Sequence, residues 1–222
     1  MRLRSPDARY EAALDGLADQ LGQALVLAES MVQEALASVF ERDTERGRRV
    51  LDDDARMDAL EVEIDRRVLA VLALHRPVAT DLRWVVTTSR AMTDLERIGD
   101  LAGAIARVGL ELSPHVGLQP DGVMRELGQE VTEGLTELRE GWHRDDVTVL
   151  GRVREAKDRV GELTEQARSS RLRDLAAYPD QAHRILALAE LAAALARIAE
   201  HLENLAEQTV YRVEGRDLRH SR

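Results

Sequence analysis

The chain has 222 residues, 44% of them hydrophobic but only six aromatic, carries a net charge of −10 and contains no cysteine. The absent thiols exclude disulfides, thiolate metal sites and cysteine nucleophiles together. The acidic balance, with a pI near 5.2, leaves the chain as a whole without an electrostatic footprint for nucleic acid or anionic lipid.

The N-terminal stretch MRLRSPDARY has no apolar signal core, and no run of about eighteen apolar residues occurs anywhere, so a cytoplasmic protein is expected. Apolar residues recur at intervals of three and four, and strand-like alternation is absent, which predicts an all-α fold. The first predicted helix runs from Asp7 to Arg42, with Leu14, Leu17, Leu21, Leu25, Ala28, Val32 and Leu36 on one stripe. Gly47 is read as the turn. The second helix spans Arg49 to Leu74, with Leu60, Ile64, Val68 and Val71 facing inward. Pro77 breaks the pattern and leads into a third helix that ends near Val108. Residues 109–122, GLELSPHVGLQPDG, hold two prolines and three glycines and read as the linker. A fourth helix follows to Trp142, a fifth from Asp145 to Leu175, and a sixth from Pro179 to Val213. The closing EGRDLRHSR reads as a solvated terminus.

A shift of one hundred residues superposes Leu95, Arg97 and Ile98 on Leu195, Arg197 and Ile198, Asp58 on Asp158, Leu72 on Leu172, and Asp100 on Glu200. That offset is too long for a solenoid unit. It predicts two tandem three-helix bundles, 1–110 and 123–222, joined by residues 111–122 and together elongated.

The stretch MTDLERIGDLAGAIA, residues 92–106, sets Glu96 and Asp100 one turn apart with Gly99 between them. Such a pair repels itself, and the glycine lowers helix propensity further. Glu61 and Asp65 repeat the spacing on the preceding helix. With 41 acids in 222 positions, about seven such pairs arise by chance, so spacing alone leaves a solvated face as the simpler reading. If the two helices are antiparallel neighbours, four carboxylates could converge and offer oxygen ligands to Mg²⁺, Mn²⁺ or iron. In the second half the corresponding pairs are Gly161 with Glu165 and Ala196 with Glu200, where Glu203 and Asn204 could add ligands.

These segments, ALEVEIDRRVLAVLALHRPVATDLRWVV followed by DLERIGDLAGAIA, resemble the first repeat of the PhoU family of phosphate-uptake regulators, and LARIAEHLENLAEQTVYRVEG resembles its second-repeat ending. The resemblance implies a homodimeric, non-enzymatic adaptor built of paired three-helix bundles. It implies contact with the ATPase subunit of the phosphate ABC transporter and with a phosphate-sensing histidine kinase, and repression of the phosphate-starvation response. It further implies divalent or ferric metal (Fe, Mn, Zn or Mg) on Glu61, Asp65, Glu96 and Asp100, with Glu165, Glu200 and Asn204 at matching positions of the second half. Two positions depart from the family pattern: Leu101 stands where histidine usually follows the motif's aspartate, and Ala104 where asparagine is usual.

Other chemistries find less support. A ferritin-like di-iron enzyme wants paired Glu-x-x-His motifs, and Glu140–His143 is the one instance, at a predicted helix end. His75, His115, His143, His183, His201 and His220 form no i+3 or i+4 pair, and His201, beside a proposed ligand, is read as a surface residue. No nucleophile elbow or phosphate-cradling glycine loop occurs. Trp84 and Trp142 read as packing residues, and a passive helical scaffold remains the bland alternative.

Overall fold

A computed structural model describes residues 8–113 and 120–218. Among them are six long helices and no strand: α1 (Ala8–Phe40), α2 (Thr44–His75), α3 (Ala79–Leu112), α4 (Gly122–Arg144), α5 (Val149–Ala177) and α6 (Ala182–Glu214), the last entered through a single 3₁₀ turn at Pro179–Gln181. The 33 residues of α1 make a rod of about 50 Å.

The element boundaries differ from the sequence reading for local reasons. Asp43 caps α2, its carboxylate accepting from the backbone N–H groups of Glu45 at 3.0 Å and Arg46 at 3.1 Å. The cap starts α2 five residues before Arg49 and places Gly47 inside its first turns. The actual turn holds Arg42 in the left-handed region at φ 59°. The α3 pattern continues to Leu112, which shortens the linker, and most of that segment, with His115, lies outside the described residues. Asp145 adopts φ 56° as the C-cap of α4, so α5 begins only at Val149.

Helices α1, α2 and α3 pack mutually, and so do α4, α5 and α6. The two sets are joined mainly where α3 lies antiparallel on α6, and more lightly where α1 meets α4. Leu95, Ile98, Leu195 and Ile198, the residues that carry the internal repeat, are all fully buried and belong to one hydrophobic cluster running through both sets. Burial of each such side chain contributes on the order of 1.5–3 kcal/mol. Trp84 and Trp142 are buried as expected, and the guanidinium of Arg212 lies 4.3 Å over the Trp142 ring. Leu218 folds back on the core, so the described part of the C-terminal segment is not simply solvated; His220 lies outside the described residues.

Two glycines permit close helix contact. A Cβ at Gly109 of α3 would stand 3.0 Å from the Ser38 carbonyl carbon and 3.1 Å from the Val39 nitrogen, so α1 and α3 cross backbone to backbone there. Gly99 faces inward, where a Cβ would lie 3.3 Å from Met57 of α2. Its low helix propensity is thus offset by packing between the acidic residues and the core.

Candidate functional site: an acidic helix face and a polar junction

The antiparallel register of α2 and α3 decides which carboxylates meet. Ser89 donates to Asp65 at 3.3 Å, which sets Asp65 beside the early part of α3. Glu96 lies seven residues further along, about 10 Å at 1.5 Å per residue. Glu96 instead feels Asp100, Glu61 and Asp58, and Asp54 feels Asp58 and Asp100. The four expected acids therefore do not converge as a set. Glu61, Glu96 and Asp100 share a face, Asp65 is displaced from it, and Asp54 and Asp58 join it.

This face is electrostatically uncomfortable. The Glu96 side chain is only 17% exposed. Burial, then Asp100, Glu61 and Asp58, hold its carboxyl above the usual range, with Arg97 pulling the other way. Burial, Asp58 and Asp100 likewise raise Asp54 against the opposing pull of Arg107. Arg97 bridges Asp100 at 3.1 Å and Glu96 at 3.4 Å, which offsets part of the charge. The donors are all oxygen and suit a hard cation. Their spacing does not complete a ligand set, because among the described residues no three Asp, Glu or His side chains are grouped to hold one ion.

The second half is built differently. Glu165 is exposed and paired twice with Arg168, at 2.9 and 2.6 Å, and that partner lowers its carboxyl. Glu200 is exposed on α6. Glu203, a possible extra ligand by sequence, is held by Arg154 at 2.8 Å and by Lys157. Asn204 turns to α3. These residues are not assembled into a second acidic site. Glu140 pairs with Arg144 at 3.4 Å, so the single Glu-x-x-His motif supplies no inward-facing ligand.

The reading of His201 as a surface side chain is corrected by the α3–α6 junction. Asp94, whose side chain is 14% exposed, lies 2.8 Å from His201 Nδ1. It also accepts from Asn204 at 3.1 Å and Gln208 at 2.6 Å. Sequence reading passed over Asp94 although its partners were visible: His201, Asn204 and Gln208 step by three and four along one stripe of α6. The hundred-residue offset exchanges Asp94 and His201 for Ala194 and Leu101, both buried and apolar. Leu101, one of the two departures from the family pattern, thus marks the apolar counterpart of the polar junction.

Comparison with known proteins accounts for the duplicated architecture. The chain matches the PhoU domain over residues 21–108 and again over 124–209. It is 29% identical over 218 residues, covering 96% of this chain and 88% of the relative, to the phosphate-specific transport system accessory protein PhoU homolog of Pseudomonas aeruginosa. The correspondingly named homolog of Deinococcus radiodurans is 29% identical over 209 residues, covering 94% of this chain and 96% of that one. The crystal structure of PhoU from Pseudomonas aeruginosa superposes with a TM-score of 0.88 at 27% identity, covering 93% of this chain and all of that one. That of the phosphate transport system regulatory protein PhoU from Streptococcus pneumoniae superposes at 0.84 and 19% identity, a likeness of fold. With two domain matches spanning most of its length, the chain belongs to the PhoU family.

Proposed function

We propose that this chain is a cytoplasmic, non-enzymatic regulator of phosphate uptake and of the phosphate-starvation response. It acts by protein contact with the ATPase subunit of the phosphate ABC transporter and with a phosphate-sensing histidine kinase, as a homodimer, and represses the response when phosphate is plentiful. The carrying observation is that relatives named as accessory proteins of phosphate-specific transport match nearly the whole chain, through both domain repeats. No helix among the described residues is long and apolar enough to cross a membrane, so membrane association comes through the partners. Binding of the purified ATPase subunit to the purified chain tests the reading. Specific association is expected, and its absence for the ATPase subunit and the kinase alike would overturn it.

Metal is the second part of the proposal. The shared face of Glu61, Glu96 and Asp100, with Asp54 and Asp58, would have to draw its carboxylates together to hold the cation, whose charge would offset the neighbouring acids that add to burial in raising Glu96. Bound charge would bias how α2 and α3 present their outer surfaces only to the extent that the ion prefers one arrangement. Elemental analysis of purified protein is expected to show Fe, Mn, Zn or Mg in the wild type and a reduced content in Glu61→Ala and Asp100→Ala. Absence of metal from all three would remove this part. Asp65, Glu165, Glu200 and Asn204 carry less of the proposal, because the geometry separates them from that face.

A further inference from the structure

The solvent face of α2 carries a pattern that the packing of this chain does not use. Inward, α2 buries Val50, Met57, Ile64, Val68 and Val71 against α1 and α3, the only helices it packs on among the described residues. On the opposite side Ala55, Ala59, Val62, Arg66, Leu69 and Ala73 follow one another by alternating steps of four and three, and all are exposed. Val62 is 68% and Leu69 67% exposed. Alternating four and three is the spacing of a helix–helix seam, whereas a helix with one buried face carries polar residues on the other. The fold does not require this seam. The equivalent positions of α5, one hundred residues on, are Glu155, Arg159, Glu162, Gln166, Ser169 and Arg173, polar throughout.

The edges of the seam differ in charge. One residue before each of its first four positions stand Asp54, Asp58, Glu61 and Asp65, a continuous acidic edge. The other edge is neutralised within the chain: Arg56 pairs with Asp53 at 2.6 Å, and Glu63 bridges Arg66 and Arg67, each at 2.7 Å. An antiparallel second copy would set the acidic edge against itself, and a parallel copy would set it against arginines that already have partners. Neither sets a free basic side chain against that edge.

We infer that this face of α2 seats an α-helix of a partner protein, with small or aliphatic residues along its seam and Lys or Arg along the edge that meets Asp54, Asp58, Glu61 and Asp65. The assignment rests on the reading of the chain as a protein-contact regulator and names the chemistry of one contact. The test uses the purified full chain and two fluorescent synthetic helices of about four heptads, with the same Leu/Ala seam and either Lys or Glu edges. In anisotropy titrations the Lys-edged helix is expected to bind at least about tenfold more tightly than the Glu-edged one. The doubly substituted Val62→Ser, Leu69→Ser chain should lose that binding by at least about tenfold while keeping its helical circular dichroism. Substitution of Glu162 on α5 should leave binding unchanged. Failure of the Lys-edged helix to bind, equal binding of both helices, or indifference to the seam substitutions would overturn the inference. So would a dimer of the chain, seen in sedimentation, that the same two substitutions dissociate. Failure of the ATPase subunit and the kinase alike to bind strikes the functional reading, whereas failure of the peptide strikes only this surface.

Discussion

Replacing Asp94 by alanine probes how the two halves are joined. The carboxylate meets His201 at 2.8 Å, Asn204 at 3.1 Å and Gln208 at 2.6 Å. A hydrogen bond to a charged group contributes about 1.5–3 kcal/mol, and a polar group left buried without a partner costs about 1–3. Asn204 is exposed and rehydrates, but His201, its side chain 19% exposed, and Gln208 are partly buried, so the expected loss is about 2–4 kcal/mol. For a chain of this size that is a fall in melting temperature of about 5–12 °C, readable by calorimetry or urea unfolding. The internal repeat supplies the control. Asp94→Ala combined with His201→Leu recreates the apolar pair that Ala194 and Leu101 already form in sequence, and should recover more than half of the loss. A loss below about 0.5 kcal/mol for Asp94→Ala, the size of an ordinary surface change, would refute the view that this network ties α3 to α6.

Gly109→Ala forces a methyl against the Ser38 and Val39 backbone and should cost about 1–3 kcal/mol by overpacking; unchanged urea unfolding would contradict the close crossing. Arg171, with a side chain 7% exposed, clasps Asp121 at the start of α4 and Asp174 on its own helix at 3.2 Å. Arg171→Met should therefore destabilise by about 2–3 kcal/mol, below the full cost of stranding a buried charge because both acids retain some water. Glu96 is held above its ordinary value first by burial and then by neighbouring acids. Its favourable contribution is therefore complete below the ordinary carboxylate value and is lost as pH rises through the raised one. Glu96→Gln should accordingly raise the melting temperature of metal-free protein near pH 7 and lose that advantage near pH 4. Equal shifts at both pH values would contradict the mechanism.

The fold was legible because its signals are local and repeated. Leucine and alanine stripes at helical spacing give the six helices, and the hundred-residue offset gives their duplication. Boundaries slipped where a single cap governs them, as Asp43 does for α2 and the left-handed Asp145 for the end of α4. The acidic face was half legible. The paired spacings identified α2 and α3, but the choice of partners depends on antiparallel register, which no i,i+4 pattern encodes. Register exchanged Asp65 for Asp54 and Asp58. Asp94 was missed because a single acid inside an apolar stripe gains meaning only from the helix packed against it. In the second half, the same reasoning hid the neutralisation of Glu203 by Arg154 and by Lys157, the only lysine of the chain.

Transcription of phosphate-scavenging genes in cells that lack this chain, grown in abundant phosphate, tests the proposed role most directly. The account predicts that those genes switch on despite the phosphate and that restoring the chain silences them again. Expression that stays at the repressed level without the chain would contradict it.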